Sequence, residues 1–118
     1  MNIAIDYQSR IPIYEQIVRA IEKLVALNVL SPGEQIPAIR ELALTIGVNP
    51  NTIKKAYDTL EARGVIISKS TKGTFIVDNV DRVKSAMVDA VILEIEEKIK
   101  ELENIGLDKK EISKKLKL

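Results

Sequence analysis

Between Asn49 and Lys55 the chain places two asparagines, a threonine and two lysines around Pro50 and Ile53. A carboxamide donates and accepts at once, which is what the N6 and N7 edge of adenine requires, and an ammonium reaches guanine or phosphate oxygens. Arg40 lies upstream of this cluster and Lys72-Gly73 downstream; the cations suit phosphates, and the glycine lets backbone approach closely. Each residue also has a plainer use. Asn49 could only cap a helix, Asn51 could be an ordinary first-turn residue, Arg40 could pair with a nearby acid, and Lys54, Lys55 and Lys72 could simply be solvated.

Other chemistries are excluded by what is missing. The 118 residues contain no Cys and no His, so thiolate nucleophiles, disulfides, zinc sites and imidazole catalysis are unavailable. Tyr14 and Tyr57 could be nominated as reactive groups, but both fall on apolar stripes and read as core. The expectation is a chain that is not an enzyme, with no metal and no cofactor. No stretch approaches the ~20 apolar residues of a membrane span, and no secretion signal opens the chain. A cytoplasmic protein without a membrane partner is expected.

An apolar share of 46% and a charged share of 30% suit a globular domain with a buried core, built from aliphatic residues because only three Tyr and one Phe are present. The net charge of +1 does not itself announce a nucleic-acid binder. Residues 1–77 carry nine bases and seven acids (+2), and residues 78–118 nine bases and ten acids (−1).

The elements that would position the cluster follow from periodicity. Pro12 suits a first helical position, and Tyr14, Ile17, Val18, Ile21, Leu24 and Val25 recur at threes and fours. Ser31-Pro32-Gly33-Glu34 reads as a turn. A short second helix follows Pro37, with Ile39, Leu42, Ala43 and Ile46 on one side, and ends at Gly47. A third begins with Asn49 as cap and Pro50 at its first position, and runs to Gly64. Val65–Ser68 and Thr74–Val77 read as a hairpin around Lys69–Gly73. Asn2–Asp6 alternates weakly and could add an edge strand. A long helix then starts near Asn79, almost wholly apolar over Ala86–Leu93. Gly106 ends it, and Asp108 with Glu111 resembles a capping box for a last short helix.

Helix, short helix, break, helix and hairpin is the order of a winged helix-turn-helix. The fold class expected is therefore mostly α with a small β wing. Residues 1–78 would form the winged domain, its core beginning at about residue 11, and residues 79–118 a two-helix dimerisation region. On the third helix Ile53, Ala56, Tyr57 and Leu60 form an inward stripe; Asn51 and Lys55 then face outward, flanked by Thr52 and Lys54. The candidate DNA-contacting set is Arg40, Asn49, Asn51, Thr52, Lys54, Lys55, Lys72 and Gly73. A winged helix that docks protein instead of reading DNA is the alternative.

The strings Pro12-x-Tyr14-x-Gln16, Pro32-Gly33-Glu34-x-Ile36-Pro37-x-x-Arg40-Glu41-Leu42-Ala43, Gly47-Val48-Asn49-Pro50-Asn51-Thr52-Ile53-x-x-Ala56-Tyr57-x-x-Leu60-Glu61, Gly64 and Lys72-Gly73-Thr74-Phe75-x-Val77 resemble the GntR family of bacterial transcription regulators. The Asn-Pro-Asn-Thr string and short tail are similar to its YtrA-like subgroup. The resemblance implies a homodimeric repressor on a two-fold symmetric double-stranded operator, with Arg40 and the start of the third helix at the DNA. Two positions depart from the family pattern: Ala38 stands where serine is frequent, and Pro50 where many relatives have arginine. Base reading would then fall to Asn49, Asn51, Thr52 and Lys54.

Larger relatives bind effectors in C-terminal domains, whereas residues 78–118 supply only two helices and cannot enclose a pocket alone, which leaves a small-molecule effector open. Their apolar surface is better used against a second subunit, through Val83, Met87, Val88, Val91, Ile92, Ile95 and Ile99. The other option is a helix folded back on its own domain.

Overall fold

The computed structural model describes residues 1–118. Its elements are α1 (Ile13–Ala26), β1 (Gln35–Ile36), α2 (Ile39–Ile46), α3 (Pro50–Ala62), β2 (Ile66–Ser68), β3 (Thr74–Ile76), α4 (Asp81–Ile105) and α5 (Lys109–Leu116). Two compact units result, Met1–Lys84 and Ser85–Leu118.

The first unit is built on an aliphatic core. From α1 it takes Ile17, Val18, Ile21 and Val25; from α2, Leu42 and Ala43; from α3, Ile53, Ala56, Tyr57 and Leu60; and from the strands, Ile36, Ile66 and Ile76. Most of the stripes expected from periodicity are buried, while Tyr14, Leu24, Ile39 and Ile46 are half-buried against this core. Pro12, expected inside the first helix, is instead its N-cap: ψ of 146° keeps it extended, and its carbonyl accepts from the Gln16 amide at 3.0 Å.

The third strand of the sheet is Gln35–Ile36, not Asn2–Asp6. The Ser31–Glu34 turn closes with the Glu34 amide on the Ser31 carbonyl (3.0 Å) and is sewn to β3, the Gly33 amide donating to the Ile76 carbonyl (3.0 Å) and the Ile76 amide to the Glu34 carbonyl (2.8 Å). The next two residues are thereby delivered antiparallel to β3, with Gln35 opposite Phe75 and Ile36 opposite Thr74, giving the order β1-β3-β2. Asn2–Asp6 is held elsewhere. The Gln16 side chain accepts from the Asp6 amide (2.9 Å) and donates to the Asp6 carbonyl (3.0 Å), which clamps this segment to α1.

Between β2 and β3, Ser70–Lys72 forms one 3₁₀ turn. The long helix starts at Asp81, two residues after Asn79, whose side chain accepts from the Asp81 amide at 3.1 Å. Its first turn belongs to the first unit, which therefore extends past residue 78. Val80 and Val83 are buried in that unit's core. Val83, grouped above with a self-association face, is only 8% exposed and packs within its own chain.

In the second unit the Asp108 carboxylate accepts from the Glu111 amide (2.8 Å) while Glu111 accepts from the Asp108 amide (3.2 Å), the reciprocal capping box. Ile112 is buried there. No helix in the structure is long and apolar enough to cross a membrane.

The Tyr57 hydroxyl donates to the Pro37 carbonyl at 2.6 Å, tying α3 to the start of α2. Burial pushes this phenol above its ordinary value, and the Glu41 carboxylate adds to the rise. Tyr57→Phe removes the donor from a partly buried carbonyl and is expected to cost about 1–2 kcal/mol in urea denaturation. Because the folded-state pKa is raised, the tyrosine's contribution is complete below the unfolded value of about 10 and is lost as pH climbs above it. The wild type should therefore lose stability there more steeply than Tyr57→Phe.

Candidate nucleic-acid interface

The N-terminal turn of α3 is assembled by its cap. The Asn49 side-chain oxygen accepts from the Asn51 amide at 2.8 Å, Pro50 occupies the first helical position, and the Thr52 and Ile53 amides donate to the Asn49 carbonyl (3.0 and 3.3 Å). Gly47, at φ 69°, ends α2 in the left-handed region just before it. The two helices are thus joined by a break of three residues, Gly47 to Asn49.

With Ile53, Ala56, Tyr57 and Leu60 buried, Asn51, Lys54 and Lys55 are exposed and Thr52 is half-buried. Asn51, Lys54 and Lys55 line one shallow, open surface with Asp58 and Thr59. These residues are brought together as expected, but their side chains are not equivalent. Asn49 uses one lone pair of its oxygen on the cap, which fixes the orientation of its carboxamide and leaves one lone pair and the amide donors. Asn51 carries no such commitment.

Lys54 forms an ion pair with Asp58 at 2.8 Å, one turn along the helix. Lys55 leans sideways, its ammonium 4.1 Å from the centre of the Tyr14 ring. That contact places its charge at the edge of α3, beside α1. Eight residues further along both helices, Arg63 reaches Glu22 of α1 at 3.1 Å. Two polar ties therefore hold the outward rotation of α3 that the core stripe sets. Neither tie was legible from spacing, since each joins elements 41 residues apart in sequence.

Arg40 is exposed in the first turn of α2 and belongs to none of the four ion pairs, Arg19–Glu15, Lys54–Asp58, Arg63–Glu22 and Lys98–Glu101. Ala38 provides no side-chain cap, so the first amides of α2 lack a side-chain partner. Lys72 and Gly73 lie in the wing, separate from the α3 surface; Lys72 is exposed and also outside every ion pair. Lys69, which spacing did not single out, sets its ammonium 4.9 Å from the Phe75 ring.

On α4, Val88, Val91, Ile92 and Ile95 are exposed by 46–58%, Met87 and Ile99 are half-buried, and Ile99 lines a groove with Leu93, Ile112 and Leu116.

A helical core with a capped outward helix and a three-stranded wing defines the winged helix-turn-helix class. Residues 13–76 match the model of the bacterial regulatory proteins of the gntR family. The chain is 40% identical over 100 residues to the HTH-type transcriptional repressor YtrA of Bacillus subtilis, covering 85% of this chain and 75% of that protein. A crystal structure of a transcriptional regulator from Oenococcus oeni shares 38% identity and a TM-score of 0.89, over 97% of this chain and 95% of that one. AraR(DBD) in complex with operator ORX1 shares 27% identity and a TM-score of 0.58, over 65% of this chain and 99% of that one. The chain belongs to the GntR family; it is a DNA-binding transcription regulator and not an enzyme.

Asn49→Ala removes the cap and is expected to cost about 1 kcal/mol of stability by thermal or urea unfolding, whereas Asn49→Asp keeps the acceptor and should cost far less.

Proposed function

We propose that the protein is a homodimeric repressor that binds a two-fold symmetric operator in the cytoplasm, with α3 in the major groove. The observation that carries this reading is the uncommitted Asn51 side chain at the outward start of α3, in a domain whose α2 and wing each expose a cation, Arg40 and Lys72, that pairs with no acid. In this reading Asn51 reads a base, and Arg40, Lys55 and the wing at Lys72-Gly73 hold phosphates. Thr52 and the Asn49 carboxamide lie at the rim of the groove, and Lys54 exchanges Asp58 for DNA. Repression is supported by the name of the Bacillus subtilis relative.

Dimerisation is assigned to the exposed apolar face of α4, Val88, Val91, Ile92 and Ile95 with Met87 and Ile99 beside it. A second copy laid on this face would remove a contiguous apolar strip from water and would also set the spacing of the two half-sites.

Asn51→Ala should leave folding and dimerisation intact while weakening operator binding and relaxing preference at one base position by about 1–3 kcal/mol. Lys55→Ala removes one phosphate contact from each subunit and should weaken binding to all sequences alike and make the salt slope of the dimer shallower by about 2. For the wild type, roughly eight phosphate contacts per dimer give a slope of log K against log salt near about −7; binding insensitive to salt would instead indicate a protein-docking module. In sedimentation, Val91→Glu should convert dimer to monomer. An unchanged dimer would place the interface elsewhere.

A further inference from the structure

The wing is braced from a strand that the hairpin itself does not include. Gln35, on β1, donates from Nε2 to the Lys72 carbonyl at 3.1 Å, across 37 residues of sequence. The same amide lies against Gly73, so closely that a Cβ there would sit 2.5 Å from Nε2. Gly73 adopts φ 122° and ψ −160°, a conformation essentially restricted to glycine. Ser70 also has positive φ, 49°. Within the loop, the Lys69 amide donates to the Gly73 carbonyl (2.9 Å) and the Lys72 amide to the Lys69 carbonyl (2.9 Å). These bonds fix the shape of the tip but do not fix where the tip points relative to the helices.

Gln35 supplies that second constraint, because β1 runs directly into Pro37 and the start of α2. We infer that Gln35 is a positioning residue for DNA binding: its carboxamide clamps the Lys72–Gly73 peptide, so that the Lys72 ammonium is held ready for a backbone phosphate. The inference rests on the DNA contact proposed above for the wing. Gln35 is exposed and contributes nothing to the core, so its loss separates positioning from folding.

The test is a double-mutant cycle with Gln35→Met, which keeps the length and removes the donor, and Lys72→Ala. Affinity is read by titration against a duplex that the wild-type chain has selected from a random pool, and folding by thermal unfolding of each variant. Gln35→Met should weaken binding about three- to tenfold, the worth of one exposed neutral hydrogen bond, while the chain still unfolds in one cooperative transition whose midpoint falls by only a few degrees. In the Lys72→Ala background the same change should have little further effect. Wild-type affinity for Gln35→Met, or an equal loss in both backgrounds, overturns the role given to Gln35. If Lys72→Ala itself binds like wild type, the wing contact fails first, and Gln35 has no cation to position.

Discussion

The structure depends on how α3 is rotated about its own axis. Ile53, Ala56, Tyr57 and Leu60 are all buried, and a helix side chain sits at a fixed angle from its neighbours. Burying those four therefore turns Asn51 outward and sets Lys55 at the edge of α3, beside α1. The Tyr57 hydrogen bond to the Pro37 carbonyl, the Lys55–Tyr14 contact and the Arg63–Glu22 pair act on the same degree of freedom from different sides. In the proposed reading α3 needs this restraint, because a turn of one residue would replace Asn51 by a neighbour and aim different chemistry at the base pairs.

Electrostatics divides the surface into committed and free charges. The core holds no buried polar or charged residue, so every cation is at the surface. Exposed pairs such as Lys54–Asp58 are worth little to stability. Their effect on recognition is larger: an acid beside Lys54 lowers indiscriminate attraction to phosphate, while Arg40 and Lys72 keep full charge. A net charge of +1 thus coexists with exposed cations that pair with no acid, Arg40 and Lys72, the ones assigned to phosphate in the proposed reading.

Much of this was legible in the sequence where the physics is local. Stripes repeating at threes and fours named the buried residues of α1, α2 and α3; the Asn49-Pro50 start and the Asp108–Glu111 box are written in adjacent residues. Long-range relations were not. A two-residue strand such as Gln35–Ile36 has no periodicity to detect, and it pairs with β3 only because the preceding turn is sewn there. Asn2–Asp6 showed a weak alternation that belongs to a segment clamped by Gln16. Val83 sits on the same apolar stripe as Val91, and spacing alone could not assign the first turn of α4 to the core of the first unit. Likewise, the competing use of the Asn49 oxygen appears only once the cap geometry is known.

The most direct test of the account is selection of bound fragments from random duplex DNA by the full chain, followed by sequencing. Two inverted half-sites about one helical turn, or a multiple of it, apart are expected, with a strongly preferred base at the position Asn51 meets. Recovery of fragments with no shared sequence, or of a single half-site without its inverted mate, would contradict a paired chain that reads DNA through the outward start of α3.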